Sequence, residues 1–133
     1  MDYTPHHTAI SVSDIERTVL FYAVFGFEEV HRYNDSEKTG VKLRLKDYIL
    51  EVFAYDQNKD LSKLELGLGN NLAERGVKHI AVTVNDVEVA LEELRLLGVA
   101  NDTTQILAKG SARFFFVRDP DGMWVEVIKD DRY

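Results

Sequence analysis

Cysteine is absent from the 133-residue chain. Its absence removes disulfides, thiolate nucleophiles and cysteine-ligated metal sites together. Any metal must therefore sit on His, Asp, Glu or carbonyl oxygens. An excess of positive charge is missing as well. The net charge of −7 argues against nucleic acid as a partner, because phosphate contacts need a basic face. Small anions stay open, since they see only the local field of a pocket. No apolar run approaches the roughly 20 residues that a bilayer requires. The opening stretch, Met1-Asp2-Tyr3-Thr4-Pro5-His6-His7, has no basic segment followed by an apolar one. Neither a membrane partner nor a signal peptide is expected, and a cytoplasmic location is the default. What the chain does have is core material: 45% hydrophobic residues against 29% charged, the balance of one globular domain over residues 1–133.

The feature that organises the sequence is a repeat. His7-Thr8-Ala9-Ile10-Ser11-Val12-Ser13-Asp14-Ile15-Glu16 recurs as His79-Ile80-Ala81-Val82-Thr83-Val84-Asn85-Asp86-Val87-Glu88, in register and without a gap. The likeness continues to Gly26 and Gly98. In the first copy Ile10 and Val12 point one way and His7, Ala9 and Ser11 the other, the alternation of a half-buried strand. Ser13-Asp14-Ile15-Glu16 reads as a capping box that starts a helix near Asp14 or Ile15. Ile15, Val19, Tyr22 and Ala23 form its apolar face, and Gly26 is the natural residue past its end.

Three strands are predicted next, at Phe27 to Tyr33, Gly40 to Lys46 and Tyr48 to Tyr55, with a polar loop from Asn34 to Gly40 and a tight turn at Lys46-Asp47. Leu50 and Val52 share one face of the last strand, and Ile49, Glu51, Phe53 and Tyr55 the other. Turn-rich sequence fills the interval to the second copy, with room for a short helix. That gives module one at 5–56, a linker at 57–77 and module two at 78–129. In module two the helix should bury Val87, Ala90, Leu91, Leu94 and Leu97. A short strand falls near 103–108, another at Arg113 to Arg118, and Asp119-Pro120-Asp121-Gly122 makes the turn into a closing strand from Met123 to Lys129. There Val125 and Val127 share one face, and Trp124, Glu126 and Ile128 the other. Each copy thus reads β-α-β-β-β, an α+β plan, with one His on its first strand and one Glu on its last.

A lone strand His is ordinarily structural. A carboxylate in an apolar strand is costly unless a cation, a partner or water meets it. An edge position facing solvent, or an ion pair with Arg44 or Arg113, would account for Glu51 and Glu126 without any site. Two His and two Glu at matching positions of a duplicated unit fit a pseudo-symmetric metal site better. Imidazole and carboxylate donors suit Zn²⁺, Ni²⁺, Co²⁺, Mn²⁺ or Fe²⁺. His6 is adjacent to His7 but on the opposite strand face, and His31 has no counterpart in the other copy; both are read as surface histidines and not as ligands.

At these residues the chain resembles the vicinal oxygen chelate superfamily, which includes glyoxalase I, extradiol dioxygenases, fosfomycin-resistance enzymes and bleomycin-resistance proteins. The resemblance rests on His7 to Asp14, Phe21-Tyr22, Gly26-Phe27, Leu50-Glu51, Gly76-Val77-Lys78-His79, Asp119-Pro120-Asp121-Gly122 and Val125-Glu126. It implies paired βαβββ modules forming an open, cup-shaped mixed sheet with helices outside, a homodimer, and His7, Glu51, His79 and Glu126 as ligands of one divalent metal ion. A Glu at the second position is most similar to glyoxalase I, which implies a lyase or isomerase working through a metal-stabilised enediolate. Glu126 is then the base and Glu51 its counterpart, and the substrate is a small molecule with adjacent oxygens. In bacterial glyoxalase I an Arg four residues after the first ligand and an Asn four after the second help to hold glutathione; here Ser11 and Tyr55 stand there. With Phe53 and Trp124 they suggest a different or more apolar substrate pocket. Two alternatives stay open: a metal-independent drug-binding protein and an extradiol-type dioxygenase.

Overall fold

The structure, a computed structural model, describes residues 1–56, 73 and 75–132. The chain divides into two compact units, Met1–Leu61 and Ser62–Tyr133. The expected linker helix falls outside the described residues.

The first unit runs β1 (His7–Ser11), α1 (Ile15–Ala23), β2 (Glu28–Asn34), β3 (Lys38–Leu45) and β4 (Tyr48–Tyr55). Its sheet has the order β1-β4-β3-β2, with β1 parallel to β4 and the other pairs antiparallel. The second unit repeats the plan as β5 (His79–Thr83), α2 (Val87–Leu96), β6 (Leu107–Lys109), β7 (Ala112–Arg118) and β8 (Trp124–Lys129). Its order is β5-β8-β7-β6, again with one parallel pair, β5 and β8. The α+β class and the βαβββ plan of each half are those expected from the repeat.

The helices start and stop by the same devices in both units. The Asp14 carboxylate accepts from Arg17 N at 3.0 Å and the Asp86 carboxylate from Val89 N at 3.0 Å. Each satisfies an amide that the first turn would otherwise leave open. The cap is thus Asp14 and the helix starts at Ile15, within the expected start. Glu16 meets Arg32 of β2 at 2.6 Å. Beyond the helices, Gly26 (φ 94°) and Gly98 (φ 73°) take left-handed conformations. Phe27 N and Val99 N then reach back to Tyr22 O and Leu94 O, closing each helix end in the manner of a Schellman turn.

The inward faces differ from expectation in detail. Helix α1 buries Ile15, Thr18 and Tyr22, while Ala23 is exposed. Thr18 is fully enclosed because its hydroxyl donates to Asp14 O at 2.9 Å, so a polar side chain enters the core with its hydrogen bond made. Helix α2 buries Val87, Leu91 and Leu94. Leu97, expected inside, is 63% exposed, because the chain is already leaving the helix there. Under α1 lie Val41, Leu43, Leu50 and Val52; under α2 lie Phe115, Val117, Val125 and Val127.

The β2–β3 connection is tighter than the expected loop. Asp35 accepts from Glu37 N at 2.8 Å and Lys38 N at 3.0 Å, so pairing resumes at Asn34–Thr39. Near 103–108 only Leu107 to Lys109 forms a strand. Residues 101–104 are folded around the Asn101 side chain instead, which accepts from Thr103 N and Thr104 N. Among the described residues no helix is long and apolar enough to cross a membrane.

Candidate metal-binding pairs

The sheet register brings each His to its Glu. In the first unit His7 lies beside Ile49 and Ala9 beside Glu51; in the second His79 lies beside Trp124 and Ala81 beside Glu126. The His and the Glu are therefore diagonal neighbours on parallel strands, pointing to one face. His7 Nε2 is 3.2 Å from Glu51 Oε2, and His79 Nε2 is 3.1 Å from Glu126 Oε2.

Neither acid is an edge-strand residue, since β4 and β8 are interior to their sheets. Their side chains are only 14% and 13% exposed, so each needs a partner to remain charged. Arg113 does not supply it, being paired with Glu88. The donor chemistry fits a divalent ion. Two ligands about 2.1 Å from one ion lie about 3.0 Å apart at a right angle and about 3.4 Å apart at the tetrahedral angle, and the 3.2 and 3.1 Å within the pairs fall between. Within either unit no third His, Asp or Glu joins the pair among the described residues.

Outer contacts orient the imidazoles. His6 Nδ1 lies 2.7 Å from His7 Nδ1, so one ring donates and the other accepts, which ties the tautomer of His7 to its neighbour. His6 is exposed, as expected of a surface histidine, and this contact is its addition to that reading. Strand alternation hid this, because the contact is made by ring rotation between adjacent residues. His79 is held differently, edge-on to Phe116 with ring centroids 5.2 Å apart, and its buried Nδ1 has no hydrogen-bond partner among the described residues.

The faces around the two pairs are unlike. Opposite Glu51 across β3 stands Lys42; opposite Glu126 across β7 stands Phe116. Among the pocket residues read from the sequence, Ser11, Phe53 and Tyr55 share the face of His7 and Glu51. Phe53 is half-buried and Tyr55 exposed, with Lys38 Nζ 5.2 Å from the Tyr55 ring centroid. Trp124 shares the face of His79 and Glu126, beside Phe116 at 6.1 Å between ring centroids. The Arg118 guanidinium lies over the indole, 3.9 Å from its centroid. Lys42 and Arg118 were missed in the sequence. The strand alternation that exposed Glu51 and Glu126 also puts both on these faces, but only the register shows what they stand beside.

A sequence model of the Glyoxalase/Bleomycin resistance protein/Dioxygenase superfamily matches residues 4–127. The lactoylglutathione lyase of Haemophilus influenzae is 29% identical over 131 residues, covering 93% of this chain and 90% of that one. The trypanothione-dependent glyoxalase I of Leishmania major superposes with a TM-score of 0.71 at 21% identity, over 98% of this chain and 89% of that one. The fosfomycin resistance protein FosX of Listeria monocytogenes, crystallised with Mn(II) and sulfate, superposes with a TM-score of 0.67 at 21% identity, over 96% and 93%.

Proposed function

Because the chain belongs to the Glyoxalase/Bleomycin resistance protein/Dioxygenase superfamily, we propose that His7, Glu51, His79 and Glu126 together hold one divalent metal ion. The protein is then a metal-dependent lyase or isomerase of the glyoxalase type. The observation that carries this reading is the recurrence of the same His–Glu contact, 3.2 and 3.1 Å, on the same face of both units. The two halves come together either within one chain or across a homodimer. Imidazole and carboxylate donors accept Zn²⁺, Ni²⁺, Co²⁺, Mn²⁺ or Fe²⁺, and the Mn(II) of FosX keeps Mn²⁺ among them. Kinship with a lactoylglutathione lyase favours isomerisation of a small substrate carrying adjacent oxygens.

The bound ion supplies Lewis acidity toward those oxygens. Glu126 takes the proton from the carbon beside the substrate carbonyl, since its carboxylate stands among Phe116, Trp124 and His79, where little water competes for it. Glu51, the register partner of Lys42, is its counterpart across the site. Ser11 and Tyr55 replace the Arg and Asn expected for a glutathione grip, so Phe53, Tyr55 and Trp124 favour a substrate arm other than intact glutathione.

The test joins metal analysis to turnover. Purified protein should carry one divalent ion per four-residue set, and chelator should abolish the isomerisation of methylglyoxal adducts of low-molecular-weight thiols. Glu126→Gln should lower kcat by about 10²- to 10⁴-fold, the range of general acid–base catalysis, while metal content falls far less. Full activity in Glu126→Gln would overturn the assignment. Ligand binding that ignores chelator, with no turnover, would make the protein a binder of the bleomycin-resistance kind. Oxygen uptake would make it a dioxygenase.

A further inference from the structure

The first sheet carries a cation for which the proposed reaction has no use. The register sets out its neighbours. His31, Lys42 and Glu51 stand in one row across β2, β3 and β4, with Tyr33, Gly40 and Phe53 in the next. Directly opposed residues on neighbouring strands share a face, so Lys42 points to the side of the sheet on which His7 and Glu51 meet. Opposite charges so placed attract one another, and Lys42 with Glu51 is such a pair. Yet no ion pair forms between them among the described residues. The strand order puts β1 and β3 on opposite sides of β4, and Glu51 reaches toward β1, its Oε2 3.2 Å from His7 Nε2. Lys42 is half-buried and has neither a hydrogen bond nor an ion pair among the described residues.

The other cations of β3 on this face are placed differently. Lys38 is spent on Asp35, with Nζ donating at 3.0 Å, and lies against the Tyr55 ring. Arg44 is exposed to water. Between Lys38 and Lys42 the strand has Gly40, which is buried. The Tyr33 ring lies so close over it that a Cβ there would collide with Cε1 and Cζ of the ring. Glycine in a strand interior costs stability, and this close approach is what it permits. Tyr33 thus covers the strand on one side of Lys42.

We propose that Lys42 is a specificity-determining residue, selecting substrates that carry a carboxylate near the adjacent oxygens of the chelating group. The proposal rests on the preceding reading, which commits Glu51 to the ion. A substrate carboxylate then supplies the anion that the register partner of Lys42 does not. The Lys ammonium is a compact point charge with three donors, and its hydrogen bond to a carboxylate is about twice as strong as a neutral one. Directly opposed residues have Cβ atoms about 4.5–5.5 Å apart, so the carboxylate should lie about 5 Å from the chelating oxygens, roughly the span of two methylenes. The Tyr33 ring offers those methylenes an apolar surface.

Hydroxamates chelate through two adjacent oxygens, which makes the test direct. Protein loaded with Zn²⁺ or Mn²⁺, its metal content measured before and after, is titrated calorimetrically with N-hydroxysuccinamic acid and with the corresponding neutral primary amide. The acid should bind at least tenfold more tightly than the amide. In Lys42→Gln, shown to be folded by circular dichroism and loaded by metal analysis, that preference should vanish while the amide binds as before. Lys42→Arg should keep most of it. Equal binding of acid and amide by the unmodified protein would overturn the proposal without recourse to any variant, and so would a preference that survives in Lys42→Gln. The metal reading fails separately. A protein that takes up neither ion removes that reading and the proposal with it, whereas a loaded protein that binds both hydroxamates alike removes the proposal alone.

Discussion

Asp119 does more for the second unit than its place in a turn implies. It is 5% exposed, and its Oδ1 accepts from Asp121 N and Met123 N, both at 2.9 Å. Gly122, at φ 87°, donates back to Asp119 O. The turn therefore sets the start of β8 and with it the register that places Glu126. Hydrogen bonds to a charged group are worth about 1.5–3 kcal/mol each, with non-additivity between neighbours. Asp119→Ala should cost about 2–4 kcal/mol in urea denaturation, and Asp119→Asn, which keeps an acceptor oxygen, distinctly less. The matching turn of the first unit is made differently. Lys46 sits at φ 54°, a left-handed conformation that costs a residue with a Cβ about 1–2 kcal/mol. Lys46→Gly should thus stabilise the protein by about 0.5–1 kcal/mol, part of the relief being lost to the greater freedom of glycine in the unfolded chain. Glu51 and Glu126 were legible because alternation left each as the lone acid among apolar neighbours. Thr18, His6 and Lys42 were not, because their roles depend on a back-bond, a ring rotation and a cross-strand partner, none of which periodicity encodes.

At the scale of elements, the two helices show why existence and type read more easily than capping. Both Ser13 and Asp14 are acceptable caps, and the sequence pattern favours Ser13 because Glu16 follows at the right spacing. The fold uses Asp14, which accepts from Arg17 N at 3.0 Å, while Glu16 meets Arg32 on β2 at 2.6 Å and Arg32 also holds Glu29 at 2.6 Å. Arg32 is raised above its ordinary range by its hydrogen bonds to Glu29 and then Glu16, and Glu29 is lowered by its hydrogen bond from Arg32. These groups are exposed, so their worth to stability is small. The Asp35 turn that shortened the expected loop was hidden for a related reason: the same Asn-Asp-Ser run can solvate itself or form a tight turn, and the pairing of β2 with β3 decides. A titration tests the last turn of the chain. Asp130 is lowered to about 2, chiefly by the side-chain hydrogen bond from Arg132. A depressed carboxyl stabilises the fold fully above its unfolded value, near 3.9, and loses that contribution as pH falls toward about 2. The carboxyl carbon of Asp130, followed by NMR, should have its midpoint near the lower end of that window. In Arg132→Ala the midpoint should rise toward the unfolded value, and no movement would show that the arginine is not the cause.

On the scale of the whole molecule, a duplicated βαβββ unit explains why a His–Glu pair appears twice. Each unit by itself offers one imidazole and one carboxylate, and a divalent ion held by only two protein ligands binds weakly. If the proposed set of four acts together, the ligands cannot be independent. Binding to the folded state alone raises stability by RT ln(1 + [L]/Kd), about 2.7 kcal/mol when the ion is at a hundred times its Kd. Thermal melts of the unmodified protein should therefore rise measurably when Mn²⁺ or Zn²⁺ is restored after chelation. His7→Ala should abolish most of that rise, and so should His79→Ala, although they lie in different units. Combining the two should add almost nothing further, because the first substitution has already emptied the site. Two separate half-sites would behave otherwise. Each single variant would then keep about half of the bound ion, and only the double variant would lose the whole effect. The choice between within-chain and between-chain pairing follows from the same proteins. Mixing His7→Ala with His79→Ala subunits would restore a metal site only if the four ligands come from two chains, because each mixed dimer would then contain one intact set. If each chain builds its own site, mixing should recover nothing.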